Sequence, residues 1–237
     1  MAHAVVSCHV ERPLDDRCWE AFARFQASRP GGFRVAALIR PPDEAAGESE
    51  ALWLARARIA AASGDLGHHT HWGGPEQARP TGGDPAERVR REAAWLRERG
   101  LEPALFCGGG WYIDEAVAET VAELGYADCT ATAFRPSYLP AGAPRLSLRE
   151  PAWLRIGDRR LLELPTTHSL GMALRAALGP LPAHVHVYFH DADLLDGSRR
   201  RALTTALRLL ARRRRPAELT QLTAETEADL ASAAADK

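Results

Sequence analysis

The sequence predicts an α/β fold, an irregular (β/α)7-type barrel of about seven parallel strands formed as one domain over residues 1–237. Three observations carry that expectation. Short apolar runs alternate with segments of helical periodicity from end to end. Histidines and carboxylates gather at the C-terminal ends of those runs, the face on which β/α barrels assemble their sites. A length of 237 residues is also ordinary for one such barrel and long enough to bury a core.

Taken in order, Ala4 to Val10 is a short apolar strand that ends in polar residues, as a buried parallel strand does. Asp15 to Ser28 places Trp19, Phe22 and Phe25 at helical spacing, and Pro30-Gly31-Gly32 stops it. Phe33 to Ile39 is the second strand, closed by Arg40-Pro41-Pro42. Glu48 to Ser63 is an amphipathic helix expected to bury Leu52, Ala55 and Ile59. Gly64 ends it, the strand over residues 65–71 follows, and a Gly/Pro-rich loop reaches Pro85. Asp84-Pro85-Ala86-Glu87 is a helix start, with Asp as N-cap and Pro at the first helical position, and the helix runs to Arg99.

Ala104 to Cys107 is the fourth strand and leads into Gly108-Gly109-Gly110-Trp111-Tyr112. Asp114 to Leu124 is a helix, and Tyr126 to Thr130 the fifth strand. Pro136 to Pro151 breaks the rhythm and reads as a surface excursion with room for a short hairpin. Leu161 to Pro165 is the sixth strand, followed by Thr166-Thr167-His168 and a helix of about ten residues. His184 to His190 alternates cleanly as the seventh strand. Ser198 to Arg214 is a basic helix, and Glu218 to Leu222 with an acidic tail closes the chain.

A formal charge of -1 and a pI near 6.8 argue against nucleic acid or an anionic membrane as partner, since both favour a basic surface. No stretch has the apolar length of a membrane span, and the first strand begins where a signal peptide would stand, so the compartment expected is the cytoplasm. Cys8, Cys18, Cys107 and Cys129 are scattered without CxxC pairing, which suits reduced, buried thiols.

The third strand carries the densest chemistry, Leu66-Gly67-His68-His69-Thr70-His71-Trp72. Side chains alternate along a strand, so His69 and His71 share one face and His68 takes the other. Two imidazoles at that spacing form half of a zinc-type site, which adds a carboxylate and, when catalytic, leaves a position for water. A His-rich loop without metal is the competing reading. The other strand ends supply His9 with Glu11, the glycine triplet, Asp128, His168, and His190 with Asp191 and Asp193.

These residues resemble the polysaccharide deacetylases of the NodB homology family over most of the chain, from Val5 to about Leu222. Ser7-Cys8-His9-Val10-Glu11 stands where that family ends its first strand with S-F-D-x-D/E, and His69-Thr70 is similar to its His-Ser/Thr motif. Phe106-Cys107-Gly108-Gly109-Gly110-Trp111 resembles F-R-A-G-G-W, and residues 125–130 resemble G-Y-x-x-D-S-S. Glu163-Leu164-Pro165 and Tyr188-Phe189-His190 with Asp193-Leu194 complete the series. Three departures stand out: His9 replaces the base Asp, Cys107 replaces the Arg that contacts it, and the second motif histidine falls on Gly73, leaving His71 to substitute.

The resemblance implies a metal-dependent hydrolase removing acetyl or acyl groups from an amino sugar or related glycoconjugate. A divalent metal, zinc first with cobalt, nickel or iron as alternatives, would sit on Glu11, His69 and His71. His9 would be the base, or a third metal ligand with Glu11 as base. His190 would protonate the leaving group, oriented by Asp128, unless it only caps its strand. The backbone of Gly108 to Trp111, including Gly109 and Gly110, would hold the oxyanion. Trp72, Trp111, Tyr112 and His168 would line the substrate groove, although buried aromatics and a helix-start histidine are equally ordinary. His184 and His186 read as interior histidines. A glycan-binding relative that has lost its base pair and a phosphoesterase are the rival functions, with a carbohydrate or acylated small molecule as the partner.

Overall fold

Why the strands face two ways is settled on β1 (His3–Val10). Val6, Cys8 and Val10 pack outward against helices, while Val5, Ser7 and His9 point into the space the sheet encloses. The computed structural model describes residues 2–140 and 142–235; Met1, Ala141, Asp236 and Lys237, and so both ends of the expected domain, lie outside the described residues.

Strands β2 (Ala36–Ile39), β3 (Leu66–Thr70), β4 (Leu105–Gly108) and β5 (Ala127–Asp128) follow one another away from β1, all parallel. Beyond β5 come β7 (Arg159–Glu163) and, antiparallel at the edge, β6 (Ala152–Ile156). On its other side β1 pairs with β9 (Val185–His190), and β9 with β8 (His168–Ser169). The two-residue β10 (Arg215–Pro216) pairs with the start of β1. The run 159–169 draws the ends of this curled sheet together. Leu164 and Thr166 donate to the carbonyls of Asp128 and Ala131 on the β5 side, while Thr167 donates to His186 on the β9 side. Counting that run as one strand gives the seven-strand, mostly parallel barrel that the sequence predicts.

The helices are α1 (Asp16–Ser28), α2 (Glu50–Ser63), α3 (Pro85–Glu98), α4 (Glu115–Glu123), α5 (Leu170–Leu178), α6 (Gly197–Leu210) and α7 (Leu219–Ala235). Side chains of Asp15, Ser49, Asp84, Asp114 and Asp196 accept from first-turn amides and fix where five of them begin. One outer layer packs α1, α2, α5 and α6 over β1, β2 and β9 through Phe22, Phe25, Trp53, Phe189, Leu203 and Leu207. A second packs α3 and α4 over β3, β4 and β5 through Val89, Phe106, Val117, Val121 and Tyr126. The interior is filled by Val5, Leu38, Leu105, Leu164, Tyr188 and Leu219.

Several boundaries differ from expectation. The buried face of α2 is Trp53, Arg56, Ala57 and Ala60, and Leu52 and Ile59 are 41% and 53% exposed. An Ala-rich helix offers two apolar stripes, and the indole of Trp53 decides between them by donating to the Arg40 carbonyl at 2.6 Å. The hairpin is β6–β7 around Gly157, not within residues 136–151, which form turns and irregular chain. The basic helix stops at Leu210, and the closing helix runs on to Ala235.

Gly67 shows how tightly the interior is filled, since a Cβ there would lie 2.2 Å from Leu38 Cδ2 and 3.1 Å from the Cβ of Leu105. Gly67→Ala is therefore expected to cost about 1–3 kcal/mol by overpacking. In a chain of this size that lowers the thermal midpoint by roughly 2–4 °C per kcal/mol, and a melt within a degree of wild type would show that the strand end relaxes freely.

Candidate metal centre

The strand register brings the reactive residues to one end of the barrel. His9 of β1 stands opposite His190 of β9, and His69 of β3 opposite Cys107 of β4. Glu11 and His71 lie two residues further along their chains, on the same faces as His9 and His69. The alternation expected of His68-His69-Thr70-His71 holds. His68 and Thr70 point outward to the Glu92 carboxylate of α3, at 2.9 and 2.8 Å, while His69 and His71 point inward to Glu11.

Three imidazoles converge on one oxygen. Glu11 Oε1 lies 3.5 Å from His69 Nε2, 3.3 Å from His71 Nε2 and 3.5 Å from His190 Nε2. His69 Nδ1 donates to the Cys107 carbonyl at 2.9 Å and His71 Nδ1 to the Pro75 carbonyl at 2.7 Å. A carbonyl only accepts, so in both rings the proton sits on Nδ1 and Nε2 keeps its lone pair. Both Nε2 atoms are buried and without a hydrogen-bond partner. Burial alone would raise the pKa of Glu11, 29% exposed, but the imidazoles of His69, His71 and His190 gathered around its Oε1 outweigh it and depress it well below the carboxylate range.

His190 differs from its neighbours. Its Nδ1 faces a carboxylate, Asp193 Oδ2, at 3.6 Å, and its own amide donates to the same oxygen at 2.9 Å. Arg199 anchors Asp193 from the other side at 2.7 Å. Burial opposes the charge on His190, yet Asp193 and Glu11 prevail and raise its pKa, and the ring remains 33% exposed. His9 is the reverse case, buried and pushed well below the usual histidine range by desolvation, then by His69 and His190. Its Nε2 meets the Cys107 thiol at 3.6 Å, and Trp111 and Tyr188 flank its ring. The two positions where the chain departs together from the motifs it resembles are thus in contact.

Other expectations are corrected. Asp128 does not orient His190; it accepts from the Thr130 amide and hydroxyl at 2.9 and 2.6 Å and stands in register with Glu163, while Asp193 takes the place beside His190. The Gly108 amide is unavailable to an oxyanion because it donates to Thr130 Oγ1 at 2.7 Å. Gly109 and Gly110 do form a close turn: a Cβ on Gly109 would sit 2.4 Å from the Thr70 carbonyl oxygen, and Gly110 has φ of 58°. Trp72 and Trp111 are buried, the first donating to the Gly109 carbonyl at 3.1 Å and the second packed on His9 and Tyr188, so neither offers a free ring face. Tyr112 is partly exposed, with its hydroxyl on Asp114 and Arg79 over its ring. His168 shares its register with Val187 of the outer core and, with Met172 and Arg175, lines a separate cavity of about 280 Å³ outside the barrel. His186, bonded to Ser7 Oγ at 2.8 Å, and His184, on the Pro165 carbonyl, are interior as expected, with pKa values lowered by burial to about 3 and about 4.

Three residues have places that sequence reasoning did not assign. Asp193 stood only as a strand-end residue and motif companion. Asp191 is fully buried and accepts the Arg12 amide at 2.8 Å, tying the residue after Glu11 to the end of β9. Tyr138, 59% exposed, lies in the excursion 136–151; burial and then the charge of Glu11 raise its pKa, and nothing in an irregular segment signals that influence.

Comparison with known proteins bears on the fold. No protein-family profile matches the chain, and no curated protein matches it in sequence. A Mycobacterium smegmatis protein assigned as a polysaccharide deacetylase superposes with a TM-score of 0.67, covering 97% of this chain and 92% of its own at 15% identity. The family 4 carbohydrate esterase of Streptomyces lividans gives 0.52 over 90% and 89% at 11% identity. The 4-alpha-glucanotransferase of Thermococcus litoralis gives 0.55 over 94% of this chain but 38% of its own, at 12% identity. The architecture is that of the carbohydrate deacetylases and esterases. The chain has a NodB-like fold, at a divergence that leaves its chemistry to be argued from its own residues.

Proposed function

We propose that this chain is a single-domain, metal-dependent hydrolase that removes an acetyl or other acyl group from an amino sugar or related glycoconjugate. The observation that carries the reading is the convergence of His69 Nε2 and His71 Nε2, buried and unpartnered, on Glu11 Oε1. Ligands about 2.0–2.1 Å from a tetrahedral zinc lie about 3.4 Å apart, and the spacings of 3.5 and 3.3 Å fit that donor set. Glu11, His69 and His71 also form a group of potential ligands within 4.8 Å of one another. They would hold zinc, or cobalt, nickel or iron, which supplies Lewis-acid polarisation of the acyl carbonyl and a water of lowered pKa.

The chain's own residues divide the proton work. His9, kept neutral by burial, accepts the proton of the attacking water. His190, kept charged by Asp193, donates from Nε2 to the leaving nitrogen or oxygen. Two histidines whose surroundings push their pKa values apart make an acid and a base. The exposed Tyr138 supplies an aromatic face at the rim for a sugar ring. The compartment in this reading is the cytoplasm, in keeping with four buried free cysteines, and among the described residues no helix is long and apolar enough to cross a membrane.

A second reading, a glycan-binding protein without turnover, is favoured by the His9–Cys107 contact, because a base engaged with a thiol is a weaker base. The first test is elemental analysis of protein purified without chelator, wild type beside His69→Ala/His71→Ala, followed by acetate release from acetylated amino sugars. Near-stoichiometric divalent metal that is lost from the double variant, together with acetate release, is expected. Metal with sugar binding but no release would favour the second reading, and no metal even after reconstitution would overturn the hydrolase.

A further inference from the structure

Cys107 Sγ, His9 and His69 form a second group of potential ligands, each offering one atom within 4.8 Å of the others. All three are buried, and they stand one layer further into the barrel than Glu11 and His71, because His9 precedes Glu11 by two residues and Cys107 is the register partner of His69. We infer that the centre has an inner seat for a thiophilic divalent ion, built from Cys107 Sγ, His9 Nε2 and His69 Nε2, alternative to the seat on Glu11, His69 and His71. The inference rests on the proposed metal site and deepens it.

Three features support the inner seat. A nitrogen about 2.0–2.1 Å and a sulfur about 2.3 Å from a tetrahedral ion lie about 3.6 Å apart, and His9 Nε2 is 3.6 Å from Cys107 Sγ. The sulfur is otherwise weakly engaged, with the carbonyls of Cys129 and Gly108 at 3.9 and 4.0 Å and the Thr130 side chain beside it. His69 Nε2 is buried without a partner while its Nδ1 is occupied by the Cys107 carbonyl, so that nitrogen has one lone pair to give to either seat. The seats therefore exclude each other. A harder ion keeps the carboxylate position, and a softer one moves to the sulfur, its binding releasing the thiol proton to solvent. An ion in the inner seat also occupies His9 and removes it as a base.

The test titrates cadmium into the chelator-stripped protein and follows thiolate-to-cadmium charge transfer in the ultraviolet. Wild type is expected to develop the band to saturation at one ion per chain. Cys107→Ser loses it, whereas Cys129→Ser, which alters a neighbouring buried thiol, and His71→Ala, which disables only the outer seat, retain it. Cadmium bound without the band overturns the inner seat and leaves the Glu11 site standing. A band that survives Cys107→Ser, or that disappears in His71→Ala, also overturns it. Failure of wild type to bind either cadmium or cobalt overturns both seats together.

Discussion

His190→Ala is expected to lower kcat/KM for an acetylated substrate by about 10²–10⁴, the usual worth of a positioned general acid, with metal content unchanged. The environments of the three histidines around Glu11 Oε1 separate this role from ligation. His69 and His71 present Nδ1 to backbone carbonyls and are buried, which fixes the neutral tautomer a metal requires. His190 presents Nδ1 to Asp193 and keeps a third of its surface in solvent, which favours an imidazolium able to reach a leaving group. The donor must be protonated, so activity falls as pH rises through its pKa, and the shift set by Asp193 and Glu11 places that fall above the ordinary value of 6.5. Asp193→Asn moves the alkaline limb to lower pH. Loss of metal in His190→Ala would instead make it a ligand and sink the assignment as acid.

Much of this arrangement was legible because it depends on short-range periodicity. Alternation along β3 places His69 and His71 together and sends His68 to Glu92, and the same rule ties His9 to Glu11. What could not be read depends on register between strands distant in sequence. Asp128 sits at a strand end, and only the pairing of β5 with β7 decides that it meets Glu163, whereas Asp193 reaches His190 locally, three residues on in the turn after β9. His168 shows the same limit, since two residues of β8 carry no pattern that says which face they present. Irregular chain hides most: Tyr138, whose hydroxyl feels the charge of Glu11, lies in a segment with neither helical nor strand period. In α2 the periodicity itself was ambiguous, and a single indole settled it.

The pair Asp128 and Glu163 makes the largest stability prediction. Both carboxyl groups are fully buried, and burial raises the pKa of each; the charge of Asp128 then raises Glu163 further, well above its ordinary 4.5. Asp128 Oδ1 is taken by Thr130 and Glu163 Oε2 accepts the Ala131 amide at 3.3 Å, which leaves Asp128 Oδ2 and Glu163 Oε1 buried without a hydrogen-bond partner, and one proton retained by the pair is the expected state. In the unfolded chain the two groups ionise near their ordinary values of 3.8 and 4.5, so the folded chain binds more protons as pH rises through and above that range. Stability from this pair is complete below that range and is lost as pH rises toward the raised value of Glu163. Glu163→Gln replaces the shared proton by an amide donor that never ionises. It is expected to flatten the decline and to gain roughly 1–3 kcal/mol relative to wild type at alkaline pH, with little difference in mild acid. Asp128→Ala, by contrast, strands the Thr130 amide and hydroxyl and the Glu163 carboxyl in the barrel wall, and is expected to lose at least that much at every pH. Thermal unfolding of the three proteins across pH 5 to 9 or so is the check. Parallel curves for wild type and Glu163→Gln would mean that no proton is shared and that the two acids are held apart by contacts other than their own.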